Sequence, residues 1–113
     1  MNVKDKEILL KILKHAKNIE NFCSTCFSEE DFINSEKTLS ATAFELLQIG
    51  ELAKIKLSNK VKGVISDIPW ESIYGLRNRI VHGYSDINHT ILWDTINNDL
   101  PVLTKNIQAA LSK

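Results

Sequence analysis

Apolar residues recur every three or four positions along two long segments of the chain. In the first, from about residue 3 to 23, they are Ile8, Leu9, Ile12, Ala16, Ile19 and Cys23. In the second, from about residue 36 to 57, they are Leu39, Ala43, Leu46, Gly50, Ala53 and Leu57. Because this spacing keeps side chains on one face of an α-helix, the pattern predicts two long helices. Gly50 costs the second helix about 1 kcal/mol in propensity, so we expect another helix to approach closely there.

Two further helices are predicted from their end signals and their apolar stripes. Pro69 suits a first helical turn and Gly83 suits the C′ position after a helix end, so together they bracket a third helix. Asp86 or Asn88 can cap a fourth helix, whose apolar positions are Leu92, Ile96, Leu100, Leu103, Ile107 and Ala110. Pro101 lies inside this stripe and removes one backbone donor. We therefore expect a kink or a break about two residues before it.

These patterns predict an all-α protein. No segment sustains the two-residue alternation of apolar and polar side chains that marks a strand, and Gly and Pro total only six. The simplest arrangement is an antiparallel four-helix bundle formed by residues 1–113 as a single domain, with an extra short helix allowed from Glu29 to Ile33. The stretch from Ser58 to Ile68 is the longest predicted loop.

Composition and charge exclude several classes of protein. The chain is 43% hydrophobic and 25% charged, and its formal net charge is zero. These values are typical of globular proteins and argue against one that coats nucleic acid or anionic membrane through bulk electrostatics, although a local basic cleft is compatible with them. No apolar run approaches the roughly 18 residues of a membrane span, and the N-terminus does not resemble a signal peptide. We expect a cytoplasmic protein with no membrane partner.

The cysteines and two of the histidines give no sign of a metal or cofactor site. Cys23 and Cys26 have the spacing of half a zinc site, but no second Cys pair follows. We interpret them as small side chains packed at the end of the first helix. His15 and His89 lack acidic or arginine neighbours in the sequence of the kind that surround the third histidine, so we interpret both as surface or packing residues.

The segment YGLRNRIVHGY, residues 74–84, concentrates unusual chemistry. It holds both arginines, both tyrosines and one of the three histidines, whereas every other basic residue of the chain is a lysine. On a helix, Arg77 falls in the middle of an apolar face that consists of Trp70, Ile73, Ile80 and Tyr84. A guanidinium stays charged at any relevant pH, so Arg77 needs either a partner or a water-filled cleft. The partner would be Glu45 or Glu51 on the long helix.

His82 lies five residues after Arg77, about 140° around an ideal helix, so the two side chains do not stack on one straight face. The residues that neighbour His82 at i−4 and i−3 are Asn78 and Arg79. We expect the Asn78 amide to orient the imidazole and Arg79 to face it. The alternative is a satisfied surface histidine at a helix end.

The run from Arg77 to Tyr84 resembles the motif Arg, four residues, His, any residue, Tyr of the HepT-like proteins, which belong to the HEPN superfamily of all-α ribonuclease domains. The resemblance extends to IGELAKIKLS, residues 49–58, and to WDTINNDLPVL, residues 93–103, and it covers essentially the whole chain. It implies metal-independent endonucleolytic cleavage of RNA at a composite site in the cleft of a homodimer. Arg77 and His82 would be the catalytic residues, supported by Asn78 and Arg79.

These residue types suit that chemistry. Histidine can move a proton in either direction near neutral pH, and the planar guanidinium of arginine matches phosphate oxygens better than a lysine does. A candidate patch for the RNA backbone lies near the end of the long helix and consists of Lys54, Lys56, Lys60 and Lys62. A solvated helix face explains these lysines equally well.

Tyr84 matches the family position that a partner minimal nucleotidyltransferase, the antitoxin, modifies with AMP. The resemblance therefore implies a type VII-like toxin–antitoxin pair, in which a phosphate group added two residues from His82 blocks the substrate site. The alternative is that Tyr84 packs against the helix end with its hydroxyl bonded locally.

Two other functions are compatible with the sequence. The chain could be a non-catalytic helical binding or acceptor subunit of a nucleotidyltransferase, or a purely structural helical dimer. The near-zero net charge favours the first of these, since affinity for free RNA depends on phosphate neutralisation. The cluster of Arg, His and Tyr argues against the second.

Overall fold

The computed structural model describes the backbone of residues 1–113 and every side chain except that of residue 85. Its helices are α1 (Val3–Phe22), α2 (Glu29–Ile33), α3 (Glu36–Glu51), α4 (Asn59–Val64), α5 (Trp70–Gly83), α6 (His89–Asp94) and α7 (Leu100–Leu111). A π-helical turn extends α3 over Leu52–Lys56, another joins α6 to α7 over Thr95–Asp99, and a 3₁₀ turn, Tyr84–Asp86, follows α5. These residues contain no strand, so the predicted all-α class is confirmed, as is the extra helix α2.

Polar side chains fix where most of the helices begin. The side chains that accept a hydrogen bond from a backbone N–H two or three residues further on are those of Asn2, Ser28, Ser35, Ser58 and Asn88. Each satisfies one of the donors that a helix start leaves unpaired. Of the two predicted caps for the fourth helix, Asn88 is the correct one.

Contacts between α1, α3 and α5 show that neighbouring helices run antiparallel. Asp5, near the start of α1, bonds Ser58 beyond the end of α3, whereas Cys23 after α1 lies 3.6 Å from Thr42 in the first half of α3. Ser40 near the start of α3 lies beside Tyr84, which follows α5. The predicted helical bundle is therefore confirmed, with its fully buried side chains including Leu9, Ile12, Ile19, Phe32, Ile49, Leu92, Leu103 and Ile107.

The predicted loop from residue 58 to 68 and the predicted kink or break before Pro101 both differ in the structure from what the sequence indicated. Helix α4 occupies much of the predicted loop from 58 to 68, because Ser58 caps it and its Val61 packs in the core. The helix that contains Pro101 does not end there. Instead, the π-helical turn Thr95–Asp99 lies directly before α7, where its wider backbone accommodates the ring and the missing N–H.

The end of α5 also differs from the expectation. Gly83 is the last residue of α5 and has a φ of 179°, so it does not adopt the left-handed conformation of a C′ glycine. The chain continues directly into the 3₁₀ turn that begins at Tyr84. The extended conformation of Gly83 therefore ends α5, and the separate 3₁₀ turn is closed by a hydrogen bond from the Ile87 N–H to the Tyr84 carbonyl.

Glu45, on α3, has a polar environment that the sequence did not reveal. Glu45 is only 8% exposed. One carboxylate oxygen lies 2.5 Å from His15 Nδ1, and the other accepts a hydrogen bond of 3.2 Å from Asn18 Nδ2. His15, which the sequence analysis interpreted as a surface or packing residue, therefore has an acidic neighbour in space. Its partner comes from another helix, 30 positions away in the sequence, where no local spacing indicates it.

The two cysteines pack as expected at the end of α1. Both are free thiols and partly buried against the core, and burial raises the pKa of the Cys23 and Cys26 thiols. Among the described side chains, no group of three or more His, Cys, Asp or Glu is arranged to hold a metal ion. Within the same residues, no helix combines the length and apolar character needed to cross a membrane.

Gly50 is where α5 crosses α3 most closely. A Cβ at Gly50 would lie 2.8 Å from Cγ of Arg77 and closer still to its Cβ, far inside van der Waals contact. The expectation of a close helix approach at Gly50 is confirmed. In contrast, a Cβ at Gly75, on the outer side of α5, would meet no atom within 4 Å.

We predict opposite effects for alanine at these two glycines. Gly50→Ala forces α5 away from α3 and should lower the free energy of unfolding by about 1–3 kcal/mol, the usual cost of overpacking. Gly75→Ala, the matched control, should raise it by up to about 1 kcal/mol through helix propensity. Urea unfolding followed by circular dichroism measures both. Equal effects of the same sign would contradict the close crossing.

Asp5 links the start of α1 to α4. Asp5 is 3% exposed. One of its carboxylate oxygens accepts a hydrogen bond from the Ser58 N–H at 3.0 Å, and the other accepts one from the Ser58 hydroxyl at 2.7 Å. The backbone N–H of Ser58 is the main reason why the pKa of Asp5 lies below its ordinary value, with burial acting in the opposite direction. The native state therefore favours the charged carboxylate.

Asp5→Asn should destabilise the protein at pH 7 by about 1–3 kcal/mol, because one Ser58 donor loses its acceptor. Since the native pKa of Asp5 is depressed, its contribution is complete above the unfolded pKa of about 3.9 and is lost as the pH falls through the native value. The stability difference between the two proteins should therefore narrow in acid, as urea unfolding across the acid range will show. Glu7→Gln, at an exposed position of the same helix, is the control. A difference that stays constant with pH would contradict this role of Asp5.

Candidate functional site

Helix α5 holds the residues of the Arg–His–Tyr motif and is anchored at its first turn. The indole N–H of Trp70 donates to the carbonyl oxygens of Lys62 and Ile65, at 3.2 and 3.0 Å. Leu76 and Ile80 are buried in the core along the inner side of the helix. This anchoring fixes the rotation of α5 and therefore the direction in which each motif side chain points.

Arg77 points toward α3. Its Nε donates to Oε1 of Glu51 at 2.6 Å, its Nη2 lies 2.5 Å from the same oxygen, and its Nη1 donates to Oδ1 of Asn78 at 2.9 Å. The salt bridge that the sequence suggested is therefore present, with Glu51 as the partner and not Glu45. The Arg77 side chain keeps 20% of its surface exposed, so it is not sealed in the core.

Asn78 does not orient His82 as the sequence suggested. Its amide oxygen accepts from Arg77 and, at 3.5 Å, from Nζ of Lys54. Hydrogen bonds from charged donors are stronger than those from neutral ones, which explains why the amide turns toward the two cations. Asn78 therefore supports Arg77.

His82 and Arg79 lie on another side of α5. Both are exposed, and both line an open cleft of about 370 Å³ between the end of α5 and the start of α6. The other residues that line this cleft, which we name the His82 cleft, are Gly83, Asp86, Ile87, Asn88 and Ile91. The structure thus brings Arg79 and His82 to one cleft, as expected, whereas Arg77 does not line it.

Tyr84 is accessible at the end of α5. It is 38% exposed, and its hydroxyl lies 3.3 Å from the hydroxyl of Ser40 on α3. The contact is therefore with a neighbouring helix and not with the end of its own. A surface hydroxyl with a single long hydrogen bond is available to react.

The predicted lysine patch is divided by the structure. Lys62 donates to the carbonyl oxygen of Ala53 at 3.0 Å and lies 5.2 Å from the ring centroid of Tyr74, so it takes part in packing. Lys54 instead extends along the exposed surface to Asn78. Of the four lysines, Lys54 is the one that contacts a motif residue.

A second cavity, of about 570 Å³, lies between α5 and the segment formed by α6 and the π-helical turn Thr95–Asp99, and it is acidic. Glu71, Asp94 and Asp99 line it together with Arg79. Burial raises the pKa of Asp99, and the charge of Asp94 adds to this effect. The negative carboxylates repel phosphate, so the cavity is a poor site for a nucleic acid.

Known proteins share this sequence pattern. Residues 12–110 match the family described as "Ribonuclease HepT-like". The chain is 33% identical over 99 residues to "Probable ribonuclease HepT" of Thermococcus cleftensis, with 87% of each chain covered. It is 34% identical over 86 residues to "Putative RNase TTE0752" of Caldanaerobacter subterraneus subsp. tengcongensis, with 76% of each chain covered. No solved structure shows significant similarity.

A third relative is matched over nearly its whole length. "Putative RNase MJ1380" of Methanocaldococcus jannaschii is 28% identical over 103 residues, which cover 91% of this chain and 93% of the relative. The family match itself extends from α1 to α7 and includes the whole of α5. The all-α bundle, the motif on its exposed helix and these matches agree, and the chain belongs to the HepT-like ribonuclease family.

Proposed function

We propose that this protein is a metal-independent endoribonuclease that acts in the cytoplasm as the toxin of a HepT–nucleotidyltransferase pair. The observation that supports this most directly is the placement of His82. In a chain of a ribonuclease family, its imidazole stands exposed at the last turn of α5, in an open cleft that also contains Arg79. A proton-transfer group and a cation therefore face the same space.

Each step of the reaction has a candidate side chain in this chain. A base takes the proton of a ribose 2′-hydroxyl, the 2′-oxygen attacks phosphorus, and the bond to the 5′-oxygen breaks as an acid protonates that oxygen. The products are a 2′,3′-cyclic phosphate and a free 5′-hydroxyl. Imidazole can act as the base or as the acid near neutral pH, and a guanidinium stabilises charge on the phosphoryl oxygens.

A homodimer would complete the site. Within one chain, Arg77 points toward α3 while His82 points into its cleft, so each chain alone separates the two predicted catalytic groups. A second copy packed against α3 and α5 would add another Arg77 and another His82 to a shared groove. Exposed apolar side chains on α3, on the π-helical turn that extends it and on α5 support such packing, namely Phe44, Ile55 and Val81.

The second candidate function is a non-catalytic acceptor subunit of a nucleotidyltransferase. The observation that favours it is the pairing of Arg77 with Glu51, because a guanidinium already neutralised by a carboxylate stabilises phosphate charge less. The partial exposure of the Arg77 side chain and the nearby ammonium group of Lys54 weigh against this alternative. A direct test of cleavage decides between the two.

His82→Ala should lower the rate of RNA cleavage at least about 100-fold, because a positioned acid or base contributes about 10²–10⁴ to the rate. The measurement is cleavage of total cellular RNA by the purified protein, with growth inhibition in cells as a second readout. The substitution removes an exposed side chain, so the thermal unfolding temperature should stay unchanged.

His89→Ala is the matched control, since His89 does not line the His82 cleft. It should retain full activity. If the wild-type protein, separated from any partner, cuts no cellular RNA, the ribonuclease proposal fails and the acceptor subunit replaces it.

Regulation by AMP transfer to Tyr84 is the second part of the proposal. The phenol oxygen would attack the α-phosphorus of ATP, pyrophosphate would leave, and the phenolic proton would pass to a base of the nucleotidyltransferase. Tyr84 is exposed and two residues from His82. An added phosphodiester would bring negative charge beside the substrate phosphate and hinder its binding.

Incubation with ATP and the nucleotidyltransferase encoded beside this protein should add one AMP to the peptide that contains Tyr84, as measured by mass spectrometry. The modified protein should lose RNA cleavage. Tyr84→Phe should escape both effects, whereas Tyr74→Phe, at the partly buried second tyrosine, should not. An adduct on another residue, or none, would remove this part of the proposal.

A further inference from the structure

The His82 cleft has the size and chemistry of a nucleobase site. Its volume of about 370 Å³ lies within the range of pockets that bind small ligands, roughly 300–1,000 Å³. Its lining combines apolar side chains, Ile87 and Ile91, with a planar cation, Arg79, and with two polar side chains, Asp86 and Asn88. RNA-binding proteins recognise unstacked bases with the same elements, an arginine plane for stacking and polar groups for the base edge.

We propose that this cleft binds the base of a nucleotide next to the cleaved phosphate and that Asp86 makes guanine the preferred base. The proposal rests on the ribonuclease function proposed above and adds a sequence preference to it. A base held here places its own ribose and phosphate beside His82, because the imidazole forms part of the cleft wall.

The apolar and planar groups provide stacking that any base accepts. Ile91 is partly buried against the core, as is Ile87, so both present fixed apolar surface. Arg79 is free to stack, since none of the ion pairs among the described side chains involves it. Stacking on a guanidinium and on aliphatic surface stabilises an unpaired base without distinguishing one base from another.

The carboxylate of Asp86 supplies the discrimination. It is exposed, and it lies close to Gly83, next to His82 in the sequence: one carboxylate oxygen would be 3.4 Å from a Cβ built there. A carboxylate accepts hydrogen bonds and donates none. Guanine presents two adjacent donors on its Watson–Crick edge, at N1 and N2. Cytosine, adenine and uracil each present a single donor there, so guanine alone can bind both carboxylate oxygens.

Asn88 adds a hydrogen-bond donor to the acceptors of Asp86. Its side-chain oxygen caps α6 by accepting the Thr90 N–H at 2.8 Å. This bond fixes the amide and leaves its NH₂ group to donate. Guanine O6 is an acceptor on the same edge as the two donors. The pair of Asp86 and Asn88 therefore offers two acceptors and one donor, which is the complement of guanine.

The test uses short single-stranded RNAs that differ at one position, with guanosine, inosine, adenosine, cytidine or uridine next to the cleavage site. We expect kcat/KM for the guanosine substrate to exceed that for adenosine, cytidine and uridine by at least about tenfold, the effect of one bidentate contact. Inosine lacks the N2 amino group, so kcat/KM for its substrate should lie between the value for guanosine and the values for the other three nucleosides. Asp86→Asn should remove the preference mainly by lowering the rate on guanosine.

Asp94→Asn is the matched control, because Asp94 is an exposed carboxylate on α6 that lines the neighbouring acidic cavity and not the His82 cleft. It should leave the guanosine preference intact. Equal rates on all substrates, or a guanosine preference that survives Asp86→Asn, would overturn the inference while leaving the ribonuclease proposal in place.

A binding measurement separates this inference from the proposed function. If the protein cleaves no RNA, titration with GMP, AMP, CMP and UMP should still show tightest binding for GMP, with NMR shifts for residues 86–91 that Asp86→Asn abolishes. Equal affinity for the four nucleotides, or no binding of any of them, would overturn the assignment of the cleft.

Discussion

The crossing of α3 and α5 at Gly50 determines the geometry of the rest of the site. The absence of a side chain at Gly50 lets the stem of Arg77 lie directly on α3, and the next residue, Glu51, forms a salt bridge with its guanidinium and accepts a hydrogen bond from its Nε. One contact thus fixes the distance between the helices and the other fixes their register. A steric fit and a charge pair at adjacent positions define the rotation of α5 much more narrowly than hydrophobic packing alone.

That rotation decides which motif residues share a space. With Arg77 turned toward α3, a step of two or five residues along the helix places Arg79 and His82 on the side that faces α6. Asn78 then lies between the two sides and binds the cations on the α3 side. A motif that is continuous in the sequence is therefore divided in space. Under the proposed function, this division is the physical reason why a second protomer would be needed to bring Arg77 and His82 together.

Much of the fold could be predicted from the sequence because its signals are local. Apolar spacing and cap residues such as Asn88 depend on neighbours within four positions, and these predictions agree with the structure. Ser58 is a cap as well, but the helix α4 that it starts lies where the sequence analysis predicted a loop. The choice between Glu45 and Glu51 as the partner of Arg77 could not be predicted, because it depends on how two helices are rotated relative to each other. The pairing of His15 with Glu45 could not be predicted for the same reason.

The charge distribution explains how a chain with zero net charge can act on a polyanion under the proposed function. Lys54 and Arg77 lie on the α3 side of α5, whereas Glu71, Asp94 and Asp99 line the cavity on the α6 side. A net charge of zero for the whole chain does not mean that these local charges cancel in space, because fields at ionic strengths near 0.15 M decay over roughly 8 Å. Under the proposed function, a phosphate beside His82 would be attracted by the cations on the α3 side and repelled by the acidic cavity. The RNA backbone would then pass His82 on the side away from that cavity, and the base would occupy the His82 cleft.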